Sequence, residues 1–220
     1  MERRIERNES PGGLYEPVLT FWFGHIPGQQ LNARQSAAII SRLPYWAGKW
    51  GSLIRDVDGE MRAQFTDMLE KAAQGEFEHW LSEPTSLLAW LLLLDQFPRN
   101  MYRGTPTAFS HDQKTLPVAL KAIEEKIDQQ FFPVARSFLY LPLVHQEELR
   151  YQDMAVVAYR QAVHAARGVQ KAILLAEYAS SLRHREAIQR FGRFPHRNAI
   201  LGRETTQEEA TFLRQPFTRF

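Results

Sequence analysis

Apolar residues recur at helical spacing along most of this chain, and no stretch alternates convincingly with the two-residue period of a half-buried strand. Met61, Phe65, Met68, Leu69 and Ala72 form one side of a helix predicted over residues 56–74, with Gly75 as its stop. Leu116, Ala119, Leu120, Ile123 and Ile127 form the inner stripe of another over 112–130. A long pair follows over 145–167 and 169–190, separated near Gly168 or continuous through a bend there. The run LLAWLLLL at 87–94 is apolar on nearly every side, which predicts a helix in the middle of a bundle, started by Pro84 in its first turn.

Shorter segments fill the rest. Residues 14–24 read as a short helix closed by Gly24, with a buried strand as the local alternative. Residues 31–43 have helix-forming continuity, and Trp46 and Trp50 lie four apart, a spacing that packs together on a helix. Residues 134–141 form an apolar piece that Pro142 is expected to end, and 208–213 add a terminal turn or short helix. The pattern thus predicts six to eight helices, short loops that favour antiparallel pairs, a flexible arm over 1–13 and one all-helical domain over 14–220. A clean 34-residue repeat is not visible.

Two segments echo each other: LDQFPRNMYRG at 94–104 and FGRFPHRNAILG at 191–202. Each carries Phe-Pro, then an Arg-Asn pair, and each predicts that the preceding helix stops at or before Phe97 or Phe194, because proline lacks the N–H of a continuing helix. Together with VLTFWFG at 18–24, FLYLPLVHQEEL at 138–149 and the wider 184–213 stretch, these motifs resemble the bacterial family of unknown function DUF924. The resemblance implies an all-α, tetratricopeptide-like right-handed superhelix of antiparallel helix pairs, and it implies no activity. Two departures are visible. Residues 25–57 are idiosyncratic, and the family's His-Ser-Glu reads His145-Gln146-Glu147, which removes any serine nucleophile at that point.

Composition narrows the chemistry. The chain has no cysteine, so thiolate nucleophiles and cysteine-based metal sites are out. No apolar run approaches the roughly 20 residues needed to span a bilayer, and no signal-type segment opens the chain, so a cytoplasmic protein without a membrane partner is expected. Motifs for nucleotide cofactors and zinc proteases are absent, and neither cofactor nor metal is expected. The net charge of +2 does not announce a nucleic-acid binder, although residues 160–203 hold nine Lys or Arg against Glu177 and Glu186. RNA binding along the last long helices, through Arg183, Arg185 and Arg190, is accordingly a third-rank reading.

Candidate chemistry gathers in the motifs. Arg99, Asn100 and Arg103 from one Phe-Pro segment and Arg193, Arg197, Asn198 and Arg203 from the other form a candidate ligand set, because guanidinium groups grip phosphate or carboxylate through paired hydrogen bonds. The structural alternative is that these arginines tie helix ends to Asp95, Asp112, Glu147 and Glu204. His145, placed at or just before a helix start, Glu147 and His196 are candidate catalytic residues, within a wider set that includes His111, His184, Asp95 and Asp112. Phe97 and Phe194 are candidates to line a pocket, although their simplest role is to anchor the turns they adjoin against the bundle. The leading expectation is a helical binding protein for an anionic small molecule or acidic peptide. The alternative is a hydrolase or phosphoryl-transfer enzyme using a His–carboxylate pair with arginine stabilisation. Both hinge on whether the two Phe-Pro segments meet.

Overall fold

The computed structural model describes residues 13–46, 56–216 and 218. The expected arm over 1–13, apart from Gly13, and the Trp46–Trp50 pairing lie outside the described residues. What is described is all-α, without a β-strand among the described residues. Among the described residues there are ten α-helical segments, more than the six to eight expected, because short pieces on either side of turns count separately: α1 Glu16–Phe23, α2 Ala33–Trp46, α3 Val57–Ala73, α4 Pro84–Leu91, α5 Phe97–Met101, α6 Asp112–Glu124, α7 Pro133–Val144, α8 Leu149–Ala165, α9 Gly168–Phe191 and α10 Gln207–Phe212.

Local chemistry explains most boundaries. Asp56 caps α3 by accepting the Gly59 N–H at 2.9 Å, and Thr206 with Glu209 forms a reciprocal capping box on α10. α9 ends where Gly192 takes a left-handed conformation (φ 66°), which glycine adopts without steric cost. α6 stops at Glu124 rather than running to 130, since Lys126 is itself left-handed (φ 58°) and a separate 3-10 turn, Ile127–Gln130, follows. α8 and α9 are two helices, parted by extended backbone at Ala166 and Arg167.

Prolines overturn three sequence expectations. The helix before Pro98 does not stop at Phe97. It passes from α4 through a π-helical turn, Leu92–Gln96, in which the Phe97 N–H reaches back five residues to Leu92 O, and continues as α5 to Met101. The wider turn accommodates a residue that cannot donate and whose ring would crowd the carbonyl four back. Pro142 likewise sits inside α7, where the helix closes over it through the His145 N–H to Leu141 O bond at 3.0 Å. His145 therefore caps the C-terminus of α7 instead of preceding a helix start, and α8 begins four residues later.

Consecutive helices pack on one another from α6 through α9, an arrangement consistent with a helical solenoid. The 87–94 run is buried throughout, as its all-round apolar pattern requires. Around it, Phe21, Trp22, Phe65, Phe97 and Phe138 meet edge to face or tilted, at ring separations of 5.0 to 6.0 Å. Ala187, Ile188, Phe194 and Phe212 form a satellite cluster that seats the second Phe-Pro turn against the end of α9. Phe97 and Phe194 are both fully buried; they anchor their turns, the simpler of their two expected roles, and do not line the cavity described below.

Candidate functional site

The two Phe-Pro segments meet. Asp112, at the start of α6, receives both Arg99 Nη2 bonds at 2.8 and 2.9 Å, and its Oδ2 lies 3.8 Å from Arg197 Nη1. Arg197 also donates to the His145 carbonyl at 3.1 Å, and its guanidinium lies between the rings of Phe109 (4.5 Å) and Phe194 (4.6 Å). These contacts frame a cavity of about 360 Å³, within the size range of small-molecule sites.

Its reactive wall is built on two helix irregularities. The π turn exposes a different face of the α4–α5 rod and carries Asp95, which is buried; the end of α7 carries His145. His145 Nδ1 and Asp95 Oδ1 are 2.8 Å apart. Arg99 braces the same carboxylate at 3.2 Å and donates to the Asp95 carbonyl at 2.7 Å, while Gln96 donates to Oδ2. Burial would raise the Asp95 pKa, but the charge of Arg99 and the hydrogen bonds from His145 and Gln96 outweigh it and hold the carboxyl at about 2. The carboxylate therefore accepts the Nδ1 proton and leaves a lone pair on Nε2. Burial, reinforced by Arg99, lowers the His145 pKa against the opposing pull of Asp95, so the ring is neutral at pH 7. Nε2 makes no hydrogen bond with the described residues, and His145 lines the cavity. An oriented, neutral imidazole facing a cavity is equipped to take a proton.

Arginines and aromatics complete the walls. Arg99, Asn100, Arg103 and Arg197 all line the cavity, with Arg103 held by Asp58 at 2.9 and 3.1 Å and the Asn100 amide 3.4 Å from Tyr45 O. Tyr45, Trp46, Phe138 and Tyr159 supply apolar surface. Along α9, Glu177, Ser181 and His184 follow at helical spacing on the cavity side. His196 lines it as well, its pKa lowered to about 3 by burial and by Arg197. His111 does not line it, and among the described residues no group of three His, Cys, Asp or Glu could hold a metal ion.

Four sequence candidates lie elsewhere, in a clamp that shapes the second turn. Glu147 accepts from Arg203 at 2.6 and 2.9 Å and from the Phe194 N–H at 2.7 Å. Arg193 binds Glu209 at 2.7 and 3.0 Å, and Asn198 donates to the same carboxylate at 3.2 Å. Glu147, Arg193, Asn198 and Arg203 are thus not brought to the cavity with His145. On the outer surface Arg185 pairs with Asp153, and Arg190 with Glu186 and Glu208.

Residues 18–217 match the family model described as a bacterial protein of unknown function, DUF924. The chain belongs to the DUF924 family. A solved structure of a protein of unknown function from Agrobacterium tumefaciens is similar to it at 36% identity and a TM-score of 0.65, covering 81% of this chain and 98% of that one. Comparison with curated proteins gives no match. In this DUF924 chain, Gln146 is buried with its amide donated to Pro142 O at 3.0 Å, so it takes a packing position beside the histidine.

Sequence reasoning missed Glu177, Tyr159 and the two serines of α9. Glu177 figured only as a minority charge in a basic stretch. The available signal was the spacing of 177, 181 and 184, which puts an acid, a hydroxyl and an imidazole on one helix face.

Proposed function

We propose that this DUF924 protein is an enzyme of the hydrolase or phosphoryl-transfer class, with the His145–Asp95 pair as its proton-handling centre. The observation that carries this reading is the 2.8 Å bond from His145 Nδ1 to a buried carboxylate, with Nε2 left open to a cavity. In the reaction, Nε2 takes a proton from water as the water oxygen attacks an acyl carbon or phosphorus. The bond to the leaving group then breaks, and the proton passes from Nε2 to the departing atom. Arg197, with Arg99 behind it, stabilises the negative charge that develops on the non-bridging oxygen.

Charge balance favours this reading over simple anion capture. Asp95 and Asp112 neutralise Arg99 and Arg197 within the cluster, so little net positive charge remains to attract a standing anion. Fixed donors are still in place for charge that appears during a reaction. The binding-protein reading, for an anionic small molecule or acidic peptide, is favoured by one observation: Arg197 commits Nη1 alone to hydrogen bonding, while its Nε is buried without a partner. The cavity volume suits a small molecule better than a peptide.

The catalytic residues in this proposal are His145, oriented by Asp95, and Arg197, with Arg99, Asn100, Arg103 and His196 contacting substrate. Glu147, Arg193, Asn198 and Arg203 support the turn. The scaffold is read as one tetratricopeptide-like right-handed superhelix of antiparallel pairs over 14–220, in a cytoplasmic protein. The test is a panel of activated carboxylic and phosphate esters assayed with the wild type, His145→Gln and Asp95→Asn. Turnover that both substitutions abolish in folded protein supports the reading. Turnover indifferent to His145 overturns it, as does inactivity across the panel combined with tight, His145-independent anion binding.

A further inference from the structure

One cavity-lining group has no part in the proton transfer just described. Glu177, in the middle of α9, reaches the cavity two helical turns before His184. Its Oε2 is buried and has no hydrogen-bond partner. Of the hydroxyls beside it, Tyr159 Oη donates to Ser137 O at 3.1 Å, and Ser137 Oγ, 2.8 Å from Val134 O, also reaches the Glu177 carboxyl, so the group has one neutral hydroxyl neighbour while Oε2 stays without a partner. Among the described residues no ion pair joins Glu177 to a cation, whereas each cavity arginine is braced by an aspartate. An orphaned carboxyl oxygen is costly in a folded chain unless something else completes it.

From these observations we propose that the Glu177 end of the cavity is a subsite for a protonated amine, so that the molecule processed at His145 carries an ammonium group. An ammonium offers three N–H donors and a positive charge, which is what the unpartnered Oε2 lacks. Tyr159, Trp46 and Phe138 line the same cavity, and aromatic faces also attract ammonium ions. Burial pushes the Glu177 pKa up to about 7 against a hydrogen bond from Ser137 that holds it down; a bound cation would supply the opposite charge that a hydroxyl does not. Glu177 and His145 line one cavity, which calls for a substrate with an amine at one end, an acyl or phosphoryl centre at the other and an apolar spacer between. This inference rests on the function proposed above and names the substrate class of the same cavity.

The experiment measures binding of n-alkylammonium ions of four to seven carbons, each against the primary alcohol of equal length, to the wild type, Glu177→Gln and Glu177→Asp. The expected result is at least tenfold tighter binding of the ammonium at the preferred length, a preference that Glu177→Gln reduces to within twofold without weakening the alcohol. Glu177→Asp, which retracts the carboxylate by one methylene, should shift the preferred length upward. Equal binding of ammonium and alcohol to the wild type overturns the proposal without recourse to any variant, and so does a preference that survives Glu177→Gln. The two readings fail separately. Ammonium selectivity with His145-independent turnover refutes the catalytic assignment alone. His145-dependent turnover that ignores an amine in the substrate refutes the subsite alone.

Discussion

Two carboxylate–arginine clusters sit on either side of residues 145–147 and use the same side-chain types to opposite ends. In the clamp, both oxygens of Glu147 are occupied, three hydrogen bonds converge on them, and Arg203 also ties down the Phe194 carbonyl. In the cavity cluster, Asp95 and Asp112 satisfy Arg99, but His145 Nε2 and much of the Arg197 guanidinium are left over. A closed cluster holds a loop in shape, whereas a cluster with unspent atoms in a cavity can act on something else. Residue type alone does not separate them. What separates them is which atoms remain after the protein has satisfied itself.

The largest effect that could break this contrast is loss of catalysis. His145→Gln preserves much of the volume but removes the base, and should lower kcat by about 10²–10⁴-fold with little change in melting temperature. Asp95→Asn should cost a comparable factor by presenting the wrong tautomer of His145, as orienting carboxylates do in such pairs. It should also destabilise the protein, because it removes charge from beneath Arg99. Steady-state kinetics and thermal melts on the same preparations check both. If Glu147→Gln proves as damaging to kcat as His145→Gln while leaving stability intact, the division between cavity and clamp is wrong.

For the clamp the expected loss is in stability. Glu147→Gln leaves Arg203 short of a charged partner and weakens the cap on the Phe194 N–H, so a loss of roughly 1–3 kcal/mol is expected, read as a shift in the denaturation midpoint. The sign with pH is fixed. Burial pushes the Glu147 pKa up, but its bonds from Arg203 and Phe194 more than offset this and leave it lowered. Its contribution is therefore complete above the unfolded carboxylate value and is lost as pH falls through the folded one. His145, His184 and His196 are also lowered, chiefly by burial. A histidine of lowered folded pKa favours the native state above its unfolded value near 6.5 and loses that contribution as pH falls. Stability should accordingly begin to decline below about pH 6.5, before the carboxylates titrate, whereas activity should decline only at a lower pH, as the native His145 becomes protonated.

The contrast also explains how far the sequence could be read. α3, α8 and α9 were legible because a one-sided apolar stripe is a local signal, and the burial of 87–94 followed from its lack of a polar face. The π turn was not legible, since it depends on a five-residue backbone bond that no side-chain pattern records, and Pro98 next to it pointed to a helix end. Pro142 misled for the same reason and put His145 at the wrong end of a helix. The repeated Phe-Pro motif marked both clusters but could not sort Arg99 and Arg197 from Arg193 and Arg203. That sorting depends on contacts across about a hundred residues of chain, such as Arg99 and Arg197 sharing Asp112.

Glu177 offers the smallest and most discriminating effect, because it belongs to neither cluster. Its folded pKa, raised to about 7 by burial, lies above the unfolded carboxylate value. A raised carboxyl favours the native state fully below its unfolded pKa and loses that contribution as pH climbs through the folded value, the reverse of Glu147. Glu177→Gln replaces a group that must ionise in a buried place with one that never does. It should therefore stabilise the protein at pH 8 by about 1 kcal/mol, discounted for the partial exposure of the side chain, and change little at pH 5. Melting curves at the two pH values read the difference directly. A clamp carboxylate removed in the same way should lose stability at pH 8. If Glu177→Gln does so too, Glu177 has a protein partner that holds its charge, and the amine subsite loses its physical basis.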